Sequence, residues 1–198
     1  MTIETILNSV TGDRGKSLKD NEARWLIQFC IDYKPNTILD IGTGWGVTGR
    51  IFSLIASKVF SIDKGLSRYA REQIEKRGNI KNIEFIQNES IDVILPIKKY
   101  SADLAFIDAG HPTLHVISDF MKFSRYIKNG GVICFHDCDR KDVWQAIELI
   151  ENQNPKLHNG YGLEHFHSVG ITRAYYWIQH PNNTGFDINR VDPRKKYQ

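Results

Sequence analysis

At 198 residues the chain is long enough for one domain around a buried core, and 41% hydrophobic with 25% charged residues excludes a disordered or fibrous chain. A net charge of +3, much of it in the last residues (Arg190, Arg194, Lys195, Lys196), is too small to announce nucleic acid as a partner. No apolar run approaches the ~18 residues that cross a bilayer, and MTIETILNSVTGDRG lacks the basic and apolar regions of a secretion signal, so no membrane partner and a cytoplasmic location are expected.

In chain order, residues 1–35 read as an N-terminal helical or lid segment. Its helix is predicted over Ser17–Tyr33, with Trp25, Leu26, Phe29, Cys30 and Tyr33 on one face and Ser17 with Asp20 as a capping pair. From residue 36 short apolar runs alternate with amphipathic stretches. Strands are predicted at Thr37–Ile41, Val59–Asp63, Ile83–Gln87, Leu104–Asp108 and Val132–Phe135, nearly all apolar as strands covered on both faces must be. Helices are predicted at Val47–Ser57, Ser67–Arg77, Thr113–Tyr126 and Asp142–Glu151, with a short turn near Ile91–Leu95. Glu164–Val169 and Ile171–Ile178, joined at Val169-Gly170, read as a terminal antiparallel hairpin. The expected architecture is α/β: a doubly wound, mainly parallel seven-stranded sheet over 36–179 in one domain 1–198, followed by a tail over 180–198.

Three cysteines, Cys30, Cys134 and Cys138, are an odd and sparse set that fits free thiols better than a disulfide framework. Cys134 and Cys138 flank His136, which leaves a zinc site as the alternative, although no second cysteine pair completes it.

Residues 38–46, ILDIGTGWG, run from an apolar strand through Asp40 into three alternating glycines. Ligands of open parallel sheets bind beyond the strands' carboxyl ends, so this tip is the first place to look. Gly44-x-Gly46-x-x-Gly49 matches a dinucleotide pattern, with Asp63 nineteen residues on for a ribose hydroxyl. Against it, Asp40 puts a negative charge where diphosphate would sit. Read instead as Asp40-x-Gly42-x-Gly44-x-Gly46, the turn suits an adenosine cofactor carrying a cationic amino-acid head, with Asp63 accepting from both ribose hydroxyls.

Here the chain resembles the class I S-adenosylmethionine-dependent methyltransferases, through LDIGTGWG, Asp63 in VFSIDK and the strand order ending in a hairpin. The resemblance implies S-adenosylmethionine as cofactor and Asn88, Glu89 and Ser90 near its adenine. Trp45, inside the turn, is expected either to cover the cofactor or to pack. An NAD-type oxidoreductase and a non-catalytic cofactor-binding module are the alternatives.

The fourth strand ends FIDAGH and the fifth FHDCD, gathering Asp108, His111, His136, Asp137 and Asp139 at two strand tips. Carboxylates so crowded need a cation among them. A divalent metal (Mg²⁺ or Mn²⁺) on Asp108, Asp137 and His136 would supply it, and His111 is placed to take a proton from an acceptor hydroxyl. The bland alternative makes Asp137 and Asp139 helix caps and His136 a satisfied core histidine. The arrangement resembles the metal-dependent O-methyltransferases of the catechol and caffeoyl-coenzyme A type and the sugar and macrolide-tailoring branch. That resemblance implies Asp108 and the His136-Asp137 pair as ligands and His111 as base. His136 stands where the family usually has a carboxylate, and an imidazole favours Mn²⁺, Fe²⁺ or Zn²⁺ over Mg²⁺.

A small hydroxylated acceptor is the expected partner. Base-modifying methyltransferases resemble one another in an Asn-Pro-Pro-aromatic stretch, and here Asp-Ala-Gly-His occupies that position. The acceptor site is expected from residues 1–20, the loop at 154–162 with His158 and Tyr161, and the tail. His165 and His167 alternate onto one sheet face, where packing is the expected role. Homo-oligomerisation is left open.

Overall fold

The structure, a computed structural model, describes residues 1–10, 18–65, 70, 80–157 and 161–179. Ser17, the helix predicted over 67–77 (apart from Ala70), His158 and the tail from 180 lie outside the described residues.

Two helices precede the sheet, α1 (Ile3–Ser9) and α2 (Asp20–Tyr33). The N-cap of α2 is Lys19, whose backbone N–H donates to Glu22 Oε2 at 3.2 Å. Lys19 with Glu22 therefore does the work expected of Ser17 and Asp20, and the helix begins at Asp20 because the reciprocal acceptor sits three residues past Lys19. The core then runs β1 (Thr37–Ile41), α3 (Val47–Ser53), β2 (Lys58–Asp63), β3 (Ile83–Gln87), β4 (Ala102–Ile107), α4 (Thr113–Phe123), β5 (Ile127–Phe135), α5 (Lys141–Leu157), β6 (Tyr161–Val169) and β7 (Thr172–Gln179). Asn154-Pro155 marks the last turn of α5 rather than its end, and β6 starts at Tyr161, so most of the open loop expected over 154–162 is regular structure.

The seven strands are ordered β3-β2-β1-β4-β5-β7-β6. β3, β2, β1, β4 and β5 pair in parallel, while β7 is antiparallel to both β5 and β6. Period-two alternation divides the buried side chains between two faces. Ile38, Val59, Leu104, Phe106, Val132 and Cys134 pack with Leu26, Phe29, Ile51 and Phe52 of α2 and α3. Leu39, Ile62, Ala105, Ile107, Ile133 and Phe135 pack with Phe120, Phe123, Ala146 and Ile147 of α4 and α5. The strand order reverses at β1, between β2 and β4, which puts the carboxyl tips of β1, β4 and β5 side by side.

The two histidines of β6 do not share a face. His165 opposes Tyr175 and His167 opposes Ala174, so Phe166 is the extra residue of a bulge. His165 meets the Tyr175 ring edge-on, while His167 stacks on Trp25 of α2 at 4.8 Å.

Candidate functional site

The turn after β1 is built by close approach and by left-handed backbone. Gly42 (φ 97°) donates its N–H to Ile62 O at 2.8 Å, and a Cβ there would lie 2.1 Å from the backbone oxygen of Asp108. The glycine turn thus abuts the β4 tip directly. Gly44 (φ 49°) faces open space, and Gly46 (φ 84°) is the N-cap of α3. Asp63 accepts the Gly44 N–H on Oδ2 and the Gly65 N–H on Oδ1, both at 2.8 Å. Each oxygen keeps a second lone pair for a hydroxyl. Trp45 is exposed on the turn.

Asp40 departs from the expected exposed position at the lip. It shares the face of Ile38, is fully buried, and its Oδ2 accepts from Ser61 Oγ at 2.8 Å beneath Gly49 of α3. Burial pushes its carboxyl up to about 7. Beyond β3, the Asn88 N–H donates to the backbone oxygen of Asp63 at 3.1 Å, tying this loop to the β2 tip, and Glu89 faces Lys64 at 3.9 Å. The Ser90 hydroxyl donates to Asp119 Oδ1 of α4.

At the β4 and β5 tips the expected residues assemble, but not in the expected arrangement. Asp108 N–H continues the ladder to Ile41 O at 2.7 Å, and His136 N–H to Ile107 O at 3.1 Å. His136 is buried on the α2 face. Its Nδ1 lies 3.1 Å from Asp108 Oδ1 and 3.4 Å from Asp137 Oδ1, and its Nε2 lies 3.6 Å from Glu22 Oε2. Burial alone would lower its pKa, yet the hydrogen bond to Asp108 and the nearby Glu22 and Asp137 carboxylates raise it to about 10. Carboxylates near both ring nitrogens favour the doubly protonated ring. Among the described residues, the group of ligand atoms that comes together takes His111, not the expected His136, beside Asp108 and Asp137. A protonated His136 would supply the cation among these carboxylates, as the bland alternative has it. Asp139 is exposed and stands apart.

His111 Nε2 reaches Asp137 Oδ2 at 2.7 Å, and Asp137 holds a left-handed backbone (φ 54°), strained for a non-glycine residue. Among the described residues, Asp108, His111 and Asp137 offer three ligand atoms within 4.8 Å of one another. Burial raises the Asp108 carboxyl, opposed by its hydrogen bond to His136. The three cysteines are free and buried, desolvation raises their thiols, and among the described residues none joins a group of ligand atoms that could hold a metal.

A family model described as "Methyltransferase domain" matches residues 15–138. The chain belongs to this methyltransferase family. The solved structures similar to the methyltransferase include an O-methyltransferase from Bacillus cereus in complex with SAH (TM-score 0.63, 17% identity, covering 88% of this chain and 90% of that one). Another is the MycE methyltransferase of the mycinamycin biosynthetic pathway, in complex with Mg, SAH and mycinamycin VI (0.63, 14%, 94% and 57%). An rRNA methylase from Streptococcus thermophilus is a third (0.59, 14%, 79% and 96%). At these identities the likeness speaks for the fold. No curated protein matches by sequence. The family, together with the antiparallel β7 that an all-parallel dinucleotide sheet lacks, sets aside the NAD reading.

Two residues of the methyltransferase escape a reading of the sequence. Glu22 was placed only on a helix, yet it is buried against His136. Asp119 sat unremarked in an amphipathic helix, yet it is buried beneath Ser90. The available signal was the same in both: a carboxylate on the apolar face of a helix, which burial forbids without a partner.

Proposed function

We propose that the methyltransferase carries a methyl group from S-adenosylmethionine to the hydroxyl of a small acceptor, with His111 as general base. The His111–Asp137 contact of 2.7 Å at the tip beside the glycine turn carries this reading. Asp137 takes the Nε2–H, which leaves Nδ1 as the proton-accepting nitrogen. S-adenosylmethionine bound there would supply an electrophilic methyl carbon with the thioether as leaving group, and the part of His111 would be to take the acceptor's hydroxyl proton as the oxygen gains that methyl. Positioning of donor and acceptor supplies the remainder of the rate.

On the cofactor side, Asp63 suits the ribose hydroxyls, and Gly42, Gly44 and Gly46 let the amino-acid end approach backbone. Asn88, Glu89 and Ser90 lie where the adenine is expected. Asp40 acts from beneath the turn, where a cationic head nearby would favour its ionised form and diphosphate would oppose it. Trp45 is suited to cover the cofactor from the solvent side.

A second reading is favoured by the 4.8 Å grouping of Asp108, His111 and Asp137, which suits a divalent ion such as Mn²⁺ better than Mg²⁺. An ion held by His111 would take it from the base role, whereas an ion on Asp108 and Asp137 alone would leave His111 to accept the proton, as the sequence reading expects. The test follows S-adenosylhomocysteine release with a catechol, a caffeoyl thioester, a glycosylated macrolide and a short RNA. His111→Ala should lower kcat by about 10²–10⁴-fold with S-adenosylmethionine affinity unchanged, and EDTA should have no effect. Loss of turnover in EDTA with recovery on Mn²⁺ would transfer the assignment to the metal. Turnover of RNA alone would replace the acceptor class.

A further inference from the structure

Three of the five residues in the turn 42–46 are glycines, and all three hold left-handed backbone (φ 97°, 49° and 84°). Glycine gives up more conformational freedom on folding than any other residue, so a turn of this composition needs something to hold it in one shape. Of the turn's two side chains, Trp45 is exposed and Thr43 is buried. Thr43 Oγ1 lies 2.5 Å from Ser61 Oγ of β2, and the Ser61 hydroxyl donates to Asp40 Oδ2 at 2.8 Å. Ser61 has a single proton and directs it to Asp40, so the Thr43 hydroxyl is the donor to Ser61. The three groups form one directed chain from the turn into the sheet, where Ser61 and Asp40 are paired neighbours of β2 and β1.

The backbone of the turn closes around the same residue. Thr43 O accepts the Gly46 N–H at 2.7 Å where α3 begins, and the next residue, Gly44, donates to Asp63 Oδ2 at 2.8 Å. Holding the Thr43 side chain therefore holds both ends of the turn. Gly49 of α3 closes over the chain, since a Cβ there would lie 3.1 Å from Ser61 Oγ and 3.2 Å from Asp40 Oδ2. Thr43, Ser61 and Asp40 are all buried, so solvent does not replace a hydroxyl that is removed. Valine at 43 and alanine at 61 would serve packing alone. Two hydroxyls in series add direction, which packing lacks.

We propose that Thr43 and Ser61 are positioning residues for the cofactor's amino-acid end, their hydrogen bond setting the glycine turn in its binding shape before the ligand arrives. Preorganisation of this kind strengthens binding of a ligand that reaches the turn and does nothing for one that stops at the nucleoside. The inference rests on the assignment of S-adenosylmethionine to this site and adds to it two buried residues from behind the turn.

Calorimetry with two ligands tests it. S-adenosylhomocysteine carries the amino-acid end; 5′-methylthioadenosine has the same nucleoside and a thioether but lacks that end. Thr43→Val keeps the shape and removes the hydroxyl. It should bind S-adenosylhomocysteine about tenfold more weakly, with 5′-methylthioadenosine within about twofold of the wild type. Thr43→Ser, which keeps the hydroxyl, should restore the affinity. Ser61→Ala removes the same hydrogen bond from the other side and should reproduce the selective loss. The double variant should fall well short of the product of the two losses, because both act through one contact. Thr172→Val loses one buried hydrogen bond on β7 and should lower the melting temperature without altering either affinity. Equal losses for the two ligands would reduce Thr43 and Ser61 to general anchors and overturn the proposal. So would unchanged S-adenosylhomocysteine affinity, or a Thr43→Ser protein as weak as Thr43→Val. Should Thr43→Val not fold, Ser61→Ala carries the same comparison. A wild-type chain that binds no S-adenosylhomocysteine fails the cofactor assignment and takes the proposal with it, whereas wild-type binding with an unselective loss overturns the proposal alone.

Discussion

The two halves of the site are made differently. On the β1 side, backbone does the work: Gly42 fits against the Asp108 carbonyl, Gly46 starts α3, and Asp63 is pinned by two N–H groups. On the β4–β5 side, side chains do it, through the array Glu22, His136, Asp108, Asp137 and His111. A backbone site is specified within a few consecutive residues and tolerates no added atom. A side-chain site is assembled across the fold and stands or falls with its charge balance.

The largest effect should come from the cation at the centre of the array. His136→Ala leaves Glu22, Asp108 and Asp137 facing one another without it, and breaking a buried pair in this way costs about 3–5 kcal/mol. Denaturant unfolding should register that loss. A loss below about 1 kcal/mol would mean that the carboxylates are neutral or otherwise compensated, and the contrast between the halves would dissolve. On the backbone side, Gly42→Ala adds one methyl group 2.1 Å from the Asp108 oxygen at a left-handed position. Relief requires the β4 tip to shift, at about 1–3 kcal/mol. Because that shift moves Asp108, calorimetry should find weakened S-adenosylmethionine binding beside the fall in stability. Unchanged binding would mean that the turn yields without disturbing its neighbour.

What the sequence makes legible follows the same divide. β1 is read to the residue, because TILDI is a short apolar run between Asn36 and a glycine turn, and the order of strands follows from alternation. The membership of the β4–β5 cluster was also visible, since strand tips in a doubly wound sheet converge. Its internal pairing was not. Glu22 meets Ile171 across 149 residues, and no local pattern encodes a contact of that kind. Asp40 is intermediate: its parity with Ile38 already placed it on the face that α3 covers, and only the expectation of a ligand at the strand end drew it outward. The bulge at Phe166 left no trace in the alternation of His165 and His167, because register slips depend on the partner strand.

The smallest effect separates the halves by pH. His136, raised to about 10 from 6.5, contributes stability that is complete below pH 6.5 and is lost as pH rises toward 10. Glu22, lowered to about 2, contributes stability present above pH 4.5 and lost as pH falls toward 2. The pair is therefore strongest between about pH 4.5 and 6.5. Asp40, raised to about 7, acts with the opposite sign to Glu22: folding favours its protonated form, so its contribution fades as pH rises from 3.8 to 7 and is flat beyond. The buried thiols add their own dependence only near and above their ordinary value of 9.0. Between pH 7 and 9 His136 gives the native state up to one proton more than the unfolded chain. Its share of the decline in stability should be no more than about 1.4 kcal/mol per pH unit, beside the contributions of Asp108 and Asp119, whose carboxyls burial also raises. His136→Gln should flatten that decline, whereas Asp40→Asn should leave it and remove the one at lower pH. A slope in the upper window that survives His136→Gln would locate the proton elsewhere, and the side-chain half of the site would lose the cation on which its charge balance rests.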